Sequence, residues 1–194
     1  MRDLLRRVRR TPERLLHPLR RRKSLEALRT RPAPKTILVV CHGNICRSPV
    51  AAALIARELG TSGVTVQSGG FVGFNRPAPP VAVAAAERHG LDLTDHRSRL
   101  LTAEVVRAAD LIVVMEVGQQ RLICERFGRR PADVLVLGDL DPAPVQTRTI
   151  RDPVKDGPEV FQQVYARIAR CVREFVGAVA APAFASGRET ADHT

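Results

Sequence analysis

The chain of 194 residues contains no tryptophan and one tyrosine, and aromatic residues make up 4% of it. So few rings leave little surface on which nucleic-acid bases could stack. No apolar run approaches the roughly 18 residues of a membrane-spanning helix, and the first residues lack the apolar core of a secretory signal. The composition, 44% hydrophobic and 26% charged, is that of a globular protein. We therefore expect a folded, cytoplasmic protein.

Cysteine is also scarce, with four residues in the whole chain. In the absence of an export signal, these residues are expected to be thiols and not a disulfide framework. Cys124 and Cys171 fall at apolar positions of helical segments, which predicts a place in the core. Cys41 and Cys46 lie five positions apart, directly after the first apolar run.

Acidic residues are nearly missing from one end of the chain. Residues 1–35 contain 13 Lys or Arg and 3 Asp or Glu, whereas the remaining residues contain 18 and 17. The net charge of +11 therefore lies almost wholly in this segment. Because Pro12 and Pro18 should interrupt a long helix, residues 1–35 are predicted to be a disordered, Arg-rich arm. Its charge leaves open a contact with an anionic surface, whether acidic lipid, nucleic acid or an acidic partner.

From residue 36 onward, short apolar runs alternate with helical segments. The runs at 36–40, 64–67, 111–114 and 134–137 are predicted to be buried strands, and a long amphipathic helix follows at 158–179. This alternation predicts an α/β domain over residues 36–180, with a four-stranded parallel sheet and helices on both faces. Such sheets bind ligands beyond the carboxyl ends of their strands. Residues 181–194 are predicted to be a disordered tail.

The first predicted strand runs directly into the sequence C-H-G-N-I-C-R-S-P at residues 41–49. Backbone N–H groups between a strand end and a helix start converge on one point, where the helix dipole adds positive charge. The same field favours the thiolate of Cys41. Gly43 is expected to allow a backbone shape that a Cβ would hinder. Arg47 suits a bidentate contact to phosphate, and Ser48 can donate its hydroxyl to the sulfur. An inert buried cysteine would explain none of these features.

The stretch ILVVCHGNICRSPVAA resembles the signature V-C-x-G-N-x-C-R-S of the low-molecular-weight protein tyrosine phosphatases. The similarity continues through residues 66–70, 90–99 and 109–115, and it includes the late pair Asp152-Pro153. It covers residues 36 to about 176, almost the whole body of the chain. The resemblance implies the fold of that family, a Rossmann-like arrangement of three layers with the parallel sheet in the middle.

What the resemblance implies for function is a phosphomonoester hydrolase, and specifically a protein tyrosine phosphatase. Cys41 would attack phosphorus to form a phosphocysteine while Asp152 protonates the leaving oxygen, and Asp152 would then activate water. The phosphate-binding loop implied by the family consists of His42, Gly43, Asn44, Ile45, Cys46 and Arg47. The resemblance implies no metal and no other cofactor, and the expected substrate is a protein that carries phosphotyrosine.

Further roles follow from the same resemblance. Ser48 and Asn44 are implied to support the loop, with Asn44 paired to His96. Cys46 is implied to form a reversible disulfide with Cys41 under oxidation, which would protect the nucleophile. A small apolar core residue is the alternative interpretation of Cys46.

Asp141 competes with Asp152 for the role of acid, because both precede proline and spacing alone lets either reach the loop. The order of these pairs in the family favours Asp152 and leaves Asp141 to form a turn. The chain departs from the family pattern at Val154-Lys155, where members that act on phosphotyrosine commonly carry aromatic residues. In the family, a second aromatic residue faces this position across the substrate cleft, and Phe71 or Phe74 is expected to supply it here.

Two other functions are weighed against the phosphatase. One is a catalytically weak phosphate-binding module recruited by the basic arm. The other is a thiol-coupled arsenate reductase on the same fold, which would need two further cysteines where this chain offers only Cys124. Arginine phosphatases of the family tend to carry threonine at the position of Ile45.

Overall fold

The computed structural model describes residues 2–180, and the side chains of residues 13–180. The helices are α1 (Arg2–Thr30), α2 (Arg47–Leu59), α3 (Pro80–Glu87), α4 (Ala103–Ala108), α5 (Val117–Phe127) and α6 (Pro158–Ala180). The strands are β1 (Thr36–Cys41), β2 (Thr65–Gly70), β3 (Leu111–Val114) and β4 (Val134–Val136). Short 3-10 turns at Pro131–Asp133 and Leu137–Leu140 flank β4. The predicted tail at 181–194 lies outside the described residues.

The four strands form one parallel sheet in the order β2-β1-β3-β4. Cys41, the last residue of β1, lies beside Gly70 of β2, and Val40 lies beside Val114 of β3. The ends of these strands therefore meet at one edge of the sheet. The predicted four-stranded parallel α/β fold is confirmed.

Helices cover both faces of the sheet, and the residues of β1 alternate between them. Ile37 and Val39 belong to the larger core cluster, which lies under α2 and α6. Leu38 and Val40 belong to a smaller cluster formed with α4 and α5. Because each strand of the middle pair is buried on both sides, its sequence is continuously apolar instead of alternating.

The prediction of a disordered basic arm is wrong for α1, which is helical over Arg2–Thr30 and continues through Pro18. The side chains of Leu25 and Leu28 are buried in the larger core cluster, where α1 packs against α6. A proline inside a helix costs about 3 kcal/mol. Burial of the two leucines, together with polar contacts to the body, offsets that cost.

Polar contacts join α1 to the carboxyl edge of the sheet. His17 is buried and donates from Nε2 to the backbone oxygen of Asp141 at 2.9 Å. Arg21 forms an ion pair with Glu174 of α6 and donates to the backbone oxygen of Leu140 at 3.4 Å. At the other end of the helix, Arg31 donates to the backbone oxygen of Asp110. α1 therefore spans the body from one edge of the sheet to the other.

Among the helices of residues 2–180, none combines the length and apolarity needed to cross a membrane. Among the side chains of residues 13–180, no three His, Cys, Asp or Glu come together in a group that could hold a metal ion.

Candidate active site

The loop between β1 and α2 turns through a left-handed residue, and that residue is Asn44. Its φ is 51°, in the region that most residues with a Cβ avoid. The expectation for Gly43 is wrong, because its φ is not left-handed and an added Cβ would meet its neighbours at ordinary distances, 3.7 Å from Ile45 and 3.8 Å from Arg76. Asn44 tolerates the left-handed conformation better than most residues because its short side chain can form local hydrogen bonds.

Cys41 is buried at the floor of this loop, and its sulfur receives two hydrogen bonds. The backbone N–H of Asn44 lies 3.2 Å from Sγ, and the hydroxyl of Ser48 lies 3.0 Å from it. Both groups are donors here, so they stabilise negative charge on the sulfur. The three residues belong to one short motif of the sequence, and in the structure they are in contact.

Asn44 is the centre of the polar network behind the loop. Its Nδ2 donates to the hydroxyls of Ser48 and Ser68, each at 2.9 Å, and its Oδ1 accepts from the backbone N–H of Arg99 at 2.8 Å. His96 Nε2 donates to the backbone oxygen of Asn44 at 2.7 Å. Burial lowers the pKa of His96 below its usual value, against the opposing effect of this hydrogen bond. These bonds hold the left-handed turn from both sides.

The end of β2 presses directly against the loop. The backbone N–H groups of Phe71 and Val72 donate to the backbone oxygen of His42 at 2.8 and 3.2 Å. A Cβ on Gly70 would lie 2.8 Å from both the Asn44 nitrogen and the His42 oxygen. Glycine at position 70 is therefore required by this close approach, and not by its φ.

Arg47 is 1% exposed, although it is a charged residue in the first turn of α2. Its Nη1 donates to Glu116 Oε1 at 2.6 Å and to the backbone oxygen of Ile150 at 2.9 Å. Its Nη2 donates to Asp152 Oδ2 at 2.5 Å. Its Nε is buried and has no hydrogen-bond partner. The Nε–H of this buried guanidinium is thus left for a further acceptor, which is costly unless a ligand fills that place.

The two aspartates that precede proline have different surroundings. Asp152 is partly exposed and contacts Arg47. Asp141 is fully buried, where it binds Arg167 at 3.0 Å and Arg170 at 3.2 Å, and its Oδ1 accepts from the backbone N–H of Ala143. Asp141 therefore forms a turn and anchors α6, and only Asp152 contacts the loop arginine.

The acidic residue missed by the sequence analysis is Glu116, two positions after the end of β3 and just before α5. It shares the guanidinium of Arg47 with Asp152 and accepts a further hydrogen bond from Gln119 Nε2 at 3.1 Å. Gln119 Oε1 in turn accepts from the backbone N–H of Met115 at 2.9 Å. An acidic residue at the carboxyl end of a strand next to β1 was the signal that could have revealed it.

Cys46 is buried at the start of α2. Burial, aided by the charges of Asp152 and Cys41, raises the pKa of the Cys46 thiol to about 12. The backbone oxygen of Cys46 accepts a hydrogen bond from the hydroxyl of Tyr165, at 3.2 Å, so α6 is tied to the loop. Tyr165 was not singled out in the sequence; burial raises its pKa as well. Cys124 and Cys171 lie in the two core clusters, as predicted.

The rim of the site is only partly aromatic. Phe71 packs against the smaller core cluster, whereas Phe74 and Val154 are exposed. The exposed Arg76 extends over the loop, with Nη1 3.8 Å from the position of a Cβ on Gly43. Arg76 is a cation at the rim that the sequence analysis gave no role.

Comparison with known proteins yields a single family. A family model described as low molecular weight phosphotyrosine protein phosphatase matches residues 36–183. The chain is 39% identical over 143 residues to the probable low molecular weight protein-tyrosine-phosphatase EpsP of Ralstonia solanacearum, covering 73% of this chain and 94% of that protein. It is 34% identical over 141 residues to Etp of Escherichia coli K12, covering 72% and 91%.

Solved structures agree with this result. The tyrosine phosphatase AmsI of Erwinia amylovora superimposes with a TM-score of 0.69 at 31% identity, over 77% of this chain and 95% of that one. The YwlE arginine phosphatase of Geobacillus stearothermophilus superimposes with a TM-score of 0.67 at 28% identity, over 76% and 94%. α1 lies outside the matched residues of the family model. The chain belongs to the low-molecular-weight protein tyrosine phosphatase family, and it is a phosphomonoester hydrolase of that type.

Proposed function

We propose that the protein hydrolyses phosphotyrosine in proteins through a phosphocysteine formed on Cys41. The observation that carries this proposal is the unpartnered Nε of the buried Arg47, on the same loop as a sulfur that accepts two hydrogen bonds. A buried donor without an acceptor, on the same loop as a sulfur that accepts two hydrogen bonds, fits a bound phosphoryl group. We place this chemistry in the cytoplasm, where Cys41 would remain reduced.

In the first step, Cys41 Sγ attacks phosphorus and the bond between phosphorus and the tyrosyl oxygen breaks. Asp152 donates a proton to that oxygen, so that tyrosine leaves as a neutral phenol. The backbone N–H groups of residues 42–47 and the guanidinium of Arg47 hold the three remaining phosphoryl oxygens. Asp152 is bound to Arg47 through an ion pair. The phosphate dianion of the substrate competes for this guanidinium, which frees the carboxyl group to take up a proton from solvent and to approach the leaving oxygen.

In the second step, water attacks the phosphocysteine, Asp152 accepts a proton from the water, and the bond between sulfur and phosphorus breaks. The hydroxyl of Ser48, 3.0 Å from Sγ, stabilises the departing thiolate. Glu116 contacts no phosphoryl oxygen in this scheme. It keeps Nη1 of Arg47 occupied, and so orients the remaining N–H groups toward the phosphoryl group.

The preference for an aryl phosphate rests on the exposed Phe74 and on the tyrosine phosphatases among the relatives. Val154 stands where an aromatic residue would offer a larger surface, so we expect the phenol ring to bind more weakly than in members that carry one. Ile45 has no hydroxyl to offer a guanidinium substrate. Cys124 is half-buried in the smaller core cluster, which does not suit a thiol relay for arsenate reduction.

The test compares peptides of one sequence that carry phosphotyrosine, phosphoserine or phosphoarginine, in the presence of a metal chelator. We expect the phosphotyrosine peptide to be hydrolysed fastest, and turnover to be lost in the Cys41→Ser variant. Faster hydrolysis of phosphoarginine would contradict the proposed substrate, and full activity of Cys41→Ser would contradict the proposed nucleophile.

A further inference from the structure

Three leucines of α1 are exposed, which is unusual for large apolar side chains among residues 13–180. Leu15, Leu16 and Leu19 are 72%, 43% and 50% exposed. Leu15 and Leu19 lie one helical turn apart, on the side of the helix opposite the buried His17. The other large exposed hydrophobic residues of the described chain are scattered singly or lie around the catalytic loop. The α1 leucines are therefore an apolar patch separate from the catalytic loop.

Cations surround these leucines. Arg14, Arg22 and Lys23 are exposed, and within the described part of the chain none of the three forms an ion pair. The segment of residues 1–35 carries 13 of the 31 basic residues but 3 of the 20 acidic ones. The remaining body has nearly balanced charge. The positive field of the protein is therefore concentrated on the helix that also exposes leucines.

A groove of about 760 Å³ lies beside the leucines, between α1 and residues 142–144. Leu15, Pro142 and Pro144 provide apolar lining, and the guanidinium groups of Arg14 and Arg22 lie along it. Such a groove fits an amphipathic anion, with its acyl carbons against leucine and proline and its phosphate against arginine.

We propose that α1 docks the enzyme on an anionic phospholipid bilayer, with Leu15, Leu16 and Leu19 in the boundary between headgroups and acyl chains. Arginines beside them contact the lipid phosphates, as in other interfacial basic helices. Nucleic acid would match the charge but offers no apolar phase to the leucines. An acidic protein would engage a local patch, whereas the charge extends along a helix of 29 residues, about 43 Å long.

Docking also determines which edge of the enzyme faces the bilayer. His17 contacts Asp141, which follows β4 at the carboxyl edge of the sheet, and Cys41 lies at that same edge. A membrane-bound enzyme therefore keeps its catalytic loop on the side where α1 meets the body.

The experiment measures co-sedimentation of the full chain with vesicles of phosphatidylcholine alone, or with about one quarter phosphatidylglycerol, at low and high salt. We expect binding to the anionic vesicles that weakens as salt rises. The double variant Leu15→Ser/Leu19→Ser should bind at least about tenfold more weakly, because two leucines no longer enter the bilayer. The exposed Leu100→Ser serves as the matched control and should bind like the wild type.

Because both α1 leucines are exposed, the double variant should keep its turnover of a small aryl phosphate, which verifies that it folds. An Arg14→Gln/Arg22→Gln variant should bind the anionic vesicles more weakly and with a smaller salt dependence, because two of the 13 basic residues of the segment are removed. Three results would overturn the proposal: no binding of the folded chain to anionic vesicles, equal binding by the leucine variant, or binding to heparin without binding to vesicles. The last result would assign α1 to a polyanionic partner instead.

Discussion

Replacing Leu28 with alanine tests whether α1 belongs to the folded unit. Leu28 is 5% exposed and lies in the larger core cluster. Removal of its three outer carbons forfeits about 2.4 kcal/mol at roughly 0.8 kcal/mol per buried group, and the space left behind adds to this loss. We expect the free energy of unfolding to fall by about 2.5–4 kcal/mol, and Tm to fall by about 5–16 °C for a chain of this size.

The assay is urea unfolding followed by circular dichroism, with Leu15→Ala as the matched control. Leu15 lies on the same helix but is exposed, so its replacement should change the free energy of unfolding by about 0.5 kcal/mol or less. Equal, small effects of the two variants would refute the packing of α1 on α6. A large effect of Leu28→Ala alone would place residues before β1 inside the cooperative fold.

Three further predictions concern the site. Cys46→Ser should retain most turnover, because the raised pKa keeps Cys46 a neutral thiol, but a reductant should no longer restore its activity after peroxide treatment. Glu116→Gln should lower kcat/KM by about 10- to 100-fold, since the charge-assisted hydrogen bond to Arg47 is lost. For the same reason inorganic phosphate should bind more weakly, which a higher inhibition constant for phosphate would measure. Asp152→Asn should lower kcat with little change in Tm, whereas Asp141→Asn should lower stability by about 3 kcal/mol with kcat retained in the folded fraction.

Each of these predictions has an outcome that contradicts it. Recovery of Cys46→Ser from peroxide to the extent of the wild type would exclude the protective disulfide. Wild-type kinetics in Glu116→Gln, judged against the exposed control Glu104→Gln, would show that Arg47 is oriented without it. If Asp141→Asn lost kcat and Asp152→Asn did not, the acid would be Asp141.

Much of the fold could be predicted because its signals are local. The continuous apolar run of β1 and its abrupt change at Cys41 indicate a buried strand followed by a loop. The same pattern in β3 and β4, separated by helical segments, leaves a parallel sheet as the arrangement with short connections. The contacts of Cys41 with Asn44 and Ser48 lie within seven residues of sequence, so the spacing of these residues was enough to predict that they lie close together.

Contacts that depend on distant residues could not be predicted in this way. Leu25 and Leu28 look like isolated leucines among arginines until α6, far along the chain, provides the surface that buries them. Glu116 meets Arg47 only because β3 lies beside β1. The difference between Asp141 and Asp152 depends on Arg167 of α6, and no feature of the two Asp-Pro pairs discloses it.

The left-handed turn of the catalytic loop shows how a correct expectation about shape can be assigned to the wrong residue. Glycine is the default for positive φ, which made Gly43 the natural candidate. Asn44 takes that conformation instead, because Ser68, Arg99 and His96 satisfy its polar groups from three sides. Gly70, on the neighbouring strand, is the glycine that the loop needs for space.

The most direct test of the catalytic account is to trap the covalent intermediate. The Asp152→Asn variant is mixed with an aryl phosphate whose leaving group needs no proton, the reaction is quenched in acid, and the peptides are analysed by mass spectrometry. Because hydrolysis of the intermediate is slowed without the base, the account predicts a phosphoryl group on Cys41 that accumulates above the wild-type level. Turnover with Cys41 unmodified, or with the phosphoryl group on another residue such as His42, would contradict it.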